Sequence, residues 1–425
     1  MEKKKRKISV IIWIAAALAA AAICFVMLDP HVGTADPPKE TLDLSTVLTE
    51  KQAEEDLRAL YRIVRRRHPA WVDGNTEAVE AFENCYQQEM EAVDGPVTVL
   101  ELWRAAERIA ATLEDGHTSV RSNSYSRELL DFRYPGSGEE IAAINGEDAE
   151  AVYSRFCTMD SAETEATHSG DFLMNIVKED YLELMGVDTS DGVDVTYRQQ
   201  DGSEYTVHYE LGDPQEPGSS SSEPYFSWEI DSGSLIGIFD LNQCEYNEEY
   251  CQELDAFFSK AVDAGCRAVV VDLRDNPGGS SQVINEFLRH LDVDSYRMQV
   301  MYTRIGPLLL KFDPGEMEND RCTKVFSGMV FAITNVNTFS SAMDFAMVLK
   351  DNGIGTIVGE ASGNLPDSYG DALTFSLPNS HLQLSVSYKK WSRVDASAAG
   401  LPVEPDITCN PEDALEEILK AVGNS

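Results

Sequence analysis

The pattern of apolar positions divides the chain into three regions that predict different structures. Residues 51–113 carry apolar positions at helical spacing, and Gly116 can end the last helix of this region. Residues 131–213 contain short alternating apolar stretches with Asn-Gly and Asp-Gly pairs, which favour strands joined by tight turns. From Leu235 onward, apolar runs such as "AVVVDL" and "MVFAITN" alternate with helical segments, so an α/β layout is predicted. The helical segments expected there are 247–264, 281–291 and 341–351.

The chain begins with a basic cluster that is followed by a long apolar run. Five of the first seven residues are Lys or Arg, and the 21 residues from 8 to 28 carry no charge. A run of this length crosses a hydrocarbon core of roughly 30 Å as a helix, and the basic end is expected in the cytoplasm. We therefore predict a single-pass membrane anchor with the rest of the chain outside the cell. A cleaved signal peptide is the alternative, although the nearest small-x-small site, Gly33 to Ala35, lies well beyond the apolar run.

Shifts in composition set the expected domain borders. The clearest linker is "PQEPGSSSSEP", because Pro, Gly and Ser favour extended or irregular backbone. The predicted order is a cytoplasmic tail at 1–7, an anchor at 8–28, a linker at 29–50, a helical domain at 51–130, a small β domain at 131–213, a linker at 214–224 and a catalytic α/β core at 225–425.

Composition and charge narrow the possible functions. With 425 residues, of which 43% are hydrophobic, the chain can fill two or three cores. The formal net charge is −39, whereas proteins that bind nucleic acid usually carry a basic surface. Nucleic acid is therefore not an expected partner. Seven of the eight cysteines follow the apolar run without C-x-x-C spacing, which favours neither a disulfide scaffold nor a zinc site. We expect no metal and no cofactor. The sequence does not decide whether Cys244 and Cys251 form a disulfide, and it does not give the oligomeric state.

Two glycines follow an apolar strand in "AVVVDLRDNPGG". Gly278 and Gly279 can adopt positive φ and can present bare backbone N–H groups to a reacting oxygen, as an oxyanion hole requires. A plain turn between a strand and a helix is the alternative, and this motif on its own favours the plain turn.

Two adjacent serines stand at the expected start of the helix at 341–351. Ser341 and Asp344 match the S-x-x-[DE] capping pattern, so Ser341 can be explained as a helix cap. The pattern does not explain the neighbouring Ser340. A serine at the positive end of a helix can also act as a nucleophile, because the helix end stabilises developing negative charge. These residues alone do not separate the two roles.

A serine nucleophile needs a base, since its hydroxyl is not ionised at neutral pH. His117 is the best-placed histidine, because "LEDGHTSV" ends a helix, turns at Gly116 and then starts a strand. A histidine in a turn is more often an ordinary solvated residue, which is the alternative reading. The chain contains no H-E-x-x-H, G-x-x-x-x-G-K-[ST], G-x-G-x-x-G or G-x-S-x-G motif that would indicate another chemistry.

Six segments occur in a characteristic order: "LEDGHTSV", "VVVDLRDNPGG", "TNVNTFSSAMDFA", "IVGEASGNLPDSYGD", "FSLPNSHLQLSVS" and "PVEPDI". Together they resemble the C-terminal processing (tail-specific) serine peptidases, a family that includes the tricorn protease core. The resemblance implies a Clp-protease/crotonase-like spiral of ββα units, with Ser341 as the nucleophile. It also implies an oxyanion hole formed by Gly278 or Gly279 and the amide of Ala342.

The chain departs from the family's pattern in two places, and the first departure favours the tricorn-like branch of the family. No lysine follows the strand that ends in "IVGE", so a Ser-Lys dyad is not expected, and the resemblance implies His117 as the general base. The orienting carboxylate would be Asp395, with Glu404 as the alternative. Residues 131–213 lie where the family has a PDZ domain but keep only a fragment of its pattern, so a reduced β domain is expected.

The sequence thus predicts a membrane-anchored serine endopeptidase that faces the outside of the cell and cleaves proteins or peptides through Ser341 and His117. The alternative is an inactive binding or scaffold protein of the same fold, since the retinoid-binding relatives of the family keep this fold. The serine, the histidine and the glycine pair favour the enzyme.

Overall fold

The computed structural model describes residues 28–35, 37–136, 138–215 and 224–423. Within these ranges the helices are α1 (Glu50–Arg67), α2 (Ala70–Asp73), α3 (Thr76–Ala92), α4 (Val99–Ala111), α5 (Ala149–Cys157), α6 (Glu165–Asn175), α7 (Glu179–Leu184), α8 (Glu248–Ala264), α9 (Gln282–Arg289), α10 (Ser341–Asp351) and α11 (Ala414–Gly423). The strands are β1 (Val47–Leu48), β2 (Val97–Thr98), β3 (Ser119–Arg121), β4 (Glu140–Ile144), β5 (Glu147–Asp148), β6 (Val193–Arg198), β7 (Glu204–Tyr209), β8 (Phe226–Asp231), β9 (Ile236–Leu241), β10 (Ala268–Asp272), β11 (Ser295–Arg297), β12 (Val300–Ile305), β13 (Leu308–Phe312), β14 (Glu316–Glu318), β15 (Met329–Thr334), β16 (Thr356–Gly359), β17 (Tyr369–Ser376), β18 (Gln383–Ser392) and β19 (Ile407–Thr408).

A six-stranded sheet in the order β19-β16-β15-β10-β9-β8 forms the centre of the C-terminal part. The strands from β9 to β19 in this sheet are parallel, and β8 pairs with β9 in the antiparallel sense. Helices α8, α9 and α10 pack on one face, and α11 packs on the other. Because both faces are covered, β10 is the continuous apolar run "AVVVD" rather than an alternating one. The predicted α/β alternation is confirmed, and the three expected helices lie within two residues of their predicted bounds.

The N-terminal helices pack on a second sheet, in the order β13-β12-β18-β17, to which β3 adds by pairing with β18. Phe82 of α3 and Trp103 of α4 share a buried core with Leu384 of β18. The helical periodicity of residues 51–113 therefore predicted these helices correctly. His117 lies in the turn between α4 and β3, so this packing sets its position.

The middle part of the chain forms a four-stranded antiparallel sheet, β5-β4-β6-β7, with three helices. The turn between β4 and β5 contains Asn145 and Gly146, both at positive φ, as the Asn-Gly pair predicts. Phe156 of α5 and Phe172 of α6 lie in the core of this unit. The small β domain expected at 131–213 thus contains three helices as well as four strands, and its relation to a PDZ domain stays a prediction.

Some expectations fall outside the structure or are not met by it. The anchor predicted at 8–28, apart from Leu28, and most of the linker at 214–224 lie outside the described residues. In the part of the chain that the structure describes, no helix is long and apolar enough to cross a membrane. The seven cysteines of the described residues are free, so Cys244 and Cys251 do not form the bridge that the sequence left open. The domain borders and the ββα spiral stay predictions.

Candidate active site

Ser340 lies between the end of a buried strand and the start of a helix. β15 ends at Thr334, residues 335–339 form a tight link, and α10 begins at Ser341 with Ser340 as its N-cap. The backbone of Ser340 has φ 54° and ψ −124°, a region that residues other than glycine rarely adopt. The Ser340 N–H donates to Asn364 Oδ1 at 2.8 Å, which holds this conformation. Strained backbone of this kind persists only where surrounding contacts fix it, and it is common at active sites.

The strained turn brings Ser340 to His117. His117 Nε2 lies 3.0 Å from Ser340 Oγ, within hydrogen-bond distance. The ring of Phe339 packs beside the imidazole, with the ring centroids 4.8 Å apart. The Ser340 side chain makes no capping hydrogen bond to α10, so its hydroxyl is available to the histidine. A hydroxyl that is hydrogen-bonded to an imidazole is the arrangement that activates a serine nucleophile.

The structure corrects the expected pairing of Ser341 with His117. Ser341 Oγ instead donates to the carbonyl of Gly279 at 2.9 Å, and Ser341 is only 6% exposed. The expectation came from the family resemblance, which placed the nucleophile at Ser341, the serine directly before Ala342. The observed N-cap is Ser340, whose carbonyl accepts the Asp344 amide at 2.9 Å. Ser341 is therefore a helix residue whose hydroxyl ties α10 to the glycine turn.

The glycine turn approaches Ser340 closely. Gly278 and Gly279 have φ of 96° and 136°, the conformation that favours glycine. A Cβ on Gly278 would lie 2.7 Å from the Ser340 Cβ and 2.9 Å from the Ser341 nitrogen. Asn276 holds the turn, because its side chain accepts the Gly278 N–H at 2.8 Å and donates to a backbone carbonyl at 2.6 Å. A side chain at position 278 would push the turn and the serine apart.

Two of the amides that were expected to form an oxyanion hole are already engaged. The Ala342 amide donates to the Phe339 carbonyl at 3.1 Å, and the Gly278 amide is used within its own turn. Among the described residues, the amides of Ser341 and Gly279 have no hydrogen-bond acceptor. These two amides belong to the helix start and to the glycine turn that meets it. They are the donors available to a developing oxyanion.

A buried carboxylate lies behind His117. Asp115 is fully buried, and its Oδ1 accepts the His117 backbone N–H at 3.1 Å and lies 3.8 Å from His117 Nδ1. Its Oδ2 accepts from Thr118 Oγ1 at 2.6 Å and lies 3.0 Å from His68 Nε2. These contacts fix Asp115, so that its charge faces the imidazole of His117.

Glu163, from the middle part of the chain, also lies close to Asp115 and His117. Its Oε2 accepts the Leu365 amide at 2.7 Å. Its Oε1 is enclosed, like His117 Nδ1, and neither atom has a hydrogen-bond partner within the described ranges. The donor atoms of Asp115, His117 and Glu163 lie within 4.8 Å of one another, so these side chains could together hold a metal ion.

The charges around His117 shift its pKa and those of its neighbours. Burial lowers the pKa of His117, but Asp115 and the charges of Glu163 and Asp344 outweigh burial and raise it above its ordinary value. Burial raises the pKa of Glu163 to about 8, with the charge of Asp115 as the second cause. Burial also raises the pKa of Asp344 to about 7. Burial alone would also raise the pKa of Asp115. The contacts with His117 and His68 outweigh burial and hold the pKa of Asp115 well below the ordinary range.

The acids that the sequence analysis assigned lie elsewhere. Asp395 is exposed and accepts a local backbone N–H at 2.9 Å, and Glu404 is also exposed. The carboxyl groups beside His117 are Asp115 and Glu163 instead. Asp115 could have been found in the sequence, because it precedes His117 by two residues in "LEDGH". Glu163 carries no sequence signal, since only the fold brings it to the histidine.

A cleft of about 260 Å³ opens beside the Ser340–His117 pair. The residues that line it include His117, Gly279, Ser340, Met343, Lys389 and Trp391. Lys389 forms an ion pair with Asp371 at the cleft. Across the described part of the chain, no lysine makes a hydrogen bond to Ser340 or Ser341. The cleft therefore offers polar and aromatic groups to a substrate next to a serine that contacts a histidine.

A comparison with protein families identifies the reaction class. Residues 235–409 match the family model for peptidase family S41. This match indicates that the chain is a serine peptidase. No curated protein matches the chain.

Solved structures of CPAF share the fold over most of the chain. Mature CPAF superposes with a TM-score of 0.64 at 14% identity, covering 88% of this chain and 96% of CPAF. CPAF complexed with lactacystin gives a TM-score of 0.63 at 12% identity, covering 88% of this chain and 99% of CPAF. The photosystem II D1 C-terminal processing protease gives a TM-score of 0.49 at 14% identity, covering 87% and 97%. At these identities the likeness to CPAF shows a shared fold.

The close approach of Gly278 to Ser340 can be tested with a matched pair of glycine substitutions. Gly278 and Gly265 both have positive φ, but a Cβ on Gly265 meets nothing within 4 Å. Both alanine variants should lose about 1 kcal/mol of stability from the backbone strain. Only Gly278→Ala should also displace Ser340 and lose most reaction with a serine-directed fluorophosphonate. Equal labelling per folded molecule in the two variants would contradict the proposed role of this contact.

Proposed function

We propose that this serine peptidase uses Ser340 as its nucleophile and His117 as its general base. The observation that carries the proposal is the 3.0 Å contact between His117 Nε2 and Ser340 Oγ. The family match at residues 235–409 supports the reaction class, and the substrates are proteins or peptides. Ser341, which the family resemblance favoured as the nucleophile, holds the helix start to the glycine turn through its hydrogen bond to the Gly279 carbonyl.

In the first step, Ser340 Oγ attacks the carbonyl carbon of a peptide bond while His117 Nε2 accepts the serine proton. The carbonyl oxygen becomes negatively charged in the tetrahedral intermediate. The amides of Ser341 and Gly279 donate to it, and the N-terminus of α10 adds its positive dipole end. The intermediate collapses as His117 returns the proton to the leaving amine, which leaves an acyl group on Ser340.

In the second step, water replaces the amine in the cleft. His117 Nε2 takes a proton from this water, the oxygen attacks the acyl carbon, and the same two amides receive the oxyanion. The proton then passes from His117 to Ser340 Oγ, which releases the carboxylate product and restores the enzyme. Asp115 fixes the backbone of His117 and, with its Oδ1 3.8 Å from Nδ1, stabilises the imidazolium that forms in each step.

We also propose that residues 8–28 anchor the enzyme in a membrane and that the peptidase lies outside the cytoplasm. The basic cluster before the uncharged run of 21 residues supports this location.

The location can be tested on intact cells. The chain should remain in the membrane fraction, and protease added outside should digest residues 29–425. A variant without residues 1–28 should be recovered in the soluble fraction. Full protection of the chain in intact cells would show that the proposed orientation is wrong, and a soluble processed form would favour the cleaved signal peptide.

The two adjacent serines provide a matched test of the nucleophile. Ser340→Ala should abolish fluorophosphonate labelling and lower peptidase turnover by at least about 10³-fold, because the attacking oxygen is removed. Ser341→Ala loses one hydrogen bond to the Gly279 carbonyl, which costs about 1 kcal/mol, and should keep labelling. The opposite pattern would restore Ser341 as the nucleophile. A wild-type chain that neither reacts with the probe nor cleaves peptides would indicate a binding or scaffold protein.

The Asp115 carboxylate raises the pKa of His117 above its ordinary value near 6.5. Since the base must be neutral, activity should rise with pH through this raised pKa. Asp115→Asn removes the charge that stabilises the imidazolium, so the pKa falls and the acid limb of kcat/KM should move to lower pH. The maximal kcat/KM should fall by at least about tenfold, because the orienting carboxylate is lost. The exposed Asp395→Asn is the control, and an equal shift in that variant would contradict the assignment of Asp115.

A further inference from the structure

We infer that Asp115, His117 and Glu163 form a binding site for a zinc ion, and that zinc bound there inhibits the peptidase. The inference deepens the proposed function and rests on it, because the site includes the proposed general base. The three side chains come from the turn before β3 and from the segment that precedes α6, so the site joins the N-terminal helical part to the middle part of the chain.

The three side chains offer zinc a suitable donor set at nearly the right spacing. Zinc in proteins is bound by histidine nitrogen and carboxylate oxygen at about 2.0–2.2 Å, and three protein ligands leave one position open. The donor atoms of these residues lie within 4.8 Å of one another. The centre of an equilateral triangle of that side lies about 2.8 Å from each corner, so each donor needs to move inward by roughly 0.7 Å.

Two polar atoms of these side chains have no other partner. His117 Nδ1 and Glu163 Oε1 each expose less than 1 Å² and make no hydrogen bond within the described ranges. An enclosed polar atom without a partner is unfavourable, so a ligand that satisfies both atoms is favoured. A divalent cation does so, and it also neutralises the repulsion between the adjacent carboxyl groups of Asp115 and Glu163.

The surrounding groups orient the ligands. Thr118 Oγ1 and His68 Nε2 contact Asp115 Oδ2, which leaves Oδ1 on the side of His117. Hydrogen bonds of this outer kind orient metal ligands in proteins. Glu163 lines a second cavity of about 790 Å³, and His117 lines the cleft next to Ser340. The three ligands therefore lie between two cavities.

Zinc on His117 Nδ1 prevents the histidine from acting as the base. A neutral imidazole carries one proton, and coordination at Nδ1 leaves that proton on Nε2. Nε2 then donates to Ser340 Oγ across the 3.0 Å contact and has no free lone pair to accept the serine proton. The hydroxyl is no longer activated, although neither residue has moved away. Removal of the ion restores the active tautomer.

Zinc binding is measured first on the full chain carrying Ser340→Ala, which keeps all three ligands and removes the reaction. Equilibrium dialysis should find one Zn²⁺ per chain, and Co²⁺ in its place should give the visible absorption of a four-coordinate site. Adding Glu163→Gln, which keeps the size of the side chain and removes its charge, should weaken Zn²⁺ binding by at least about tenfold. No bound ion, or an unchanged affinity in the Glu163→Gln chain, would overturn the inference.

His208 provides a matched control for surface binding. Its ring nitrogens also lie near two carboxylates, 2.7 Å from Asp194 and 3.4 Å from Glu210, but in an exposed position. His208→Ala should leave the stoichiometry and affinity of Zn²⁺ unchanged. Loss of the bound ion in this variant would place the site on the surface and refute the inference.

Inhibition is measured on the chain with Ser340 intact, by fluorophosphonate labelling with increasing Zn²⁺. Labelling should fall as the site fills and return after chelation with EDTA. In Glu163→Gln, the Zn²⁺ concentration for half-inhibition should rise by at least about tenfold. Bound zinc without loss of labelling would refute the inhibitory role. A chain that is not labelled even without zinc refutes the proposed function and the inhibition with it, while dialysis still decides whether the metal site exists.

Discussion

The arrangement depends on one close contact, between the glycine turn after β10 and the strained backbone of Ser340. Because Gly278 has no side chain, the turn lies directly against Ser340 and the start of α10. Asn276 stabilises both sides of the contact, since its side chain holds the Gly278 amide and its carbonyl accepts the Phe339 amide at 3.0 Å. β10 and β15 are adjacent parallel strands, so their carboxyl ends bring both loops to one edge of the sheet. Ser340 and the two available amides therefore lie in neighbouring loops of a single sheet.

The base reaches this edge from another part of the chain. His117 lies next to β3, which pairs with β18 in the second sheet rather than with the six-stranded sheet. The middle part adds a further support, because Thr167 Oγ1 donates to the carbonyl of Gly363. One residue later, Asn364 accepts the N–H of Ser340. The 3.0 Å contact between the histidine and the serine thus depends on how three parts of the chain pack together. Changes at those packing contacts can alter the reaction without touching either residue.

The sequence predicted the helices and strands that carry the site more accurately than it predicted which side chains meet there. The helix at 341–351 has the predicted bounds, since apolar spacing reports which side chains turn toward a core. The family resemblance implied Ser341, whereas the structure brings Ser340 to His117, because a sequence pattern does not report the φ of the residue before the helix. The positive φ of Ser340 is fixed by Asn364 and by the approach of Gly278, and both contacts are distant in sequence. In the same way, the local "LEDGH" segment contained Asp115, whereas only the fold brings Glu163 to the histidine.

The carboxyl groups around His117 have two opposite effects on its action as a base. A carboxylate 3.8 Å from the imidazole stabilises the imidazolium that forms during the reaction, but by raising the pKa it also reduces the neutral fraction that can accept a proton. Burial raises the pKa of Glu163 to about 8 and that of Asp344 to about 7, so neither carries its full charge near neutral pH. Asp115, whose pKa is held low, keeps its charge there. The stabilisation of the imidazolium at neutral pH therefore comes mainly from one fixed carboxylate.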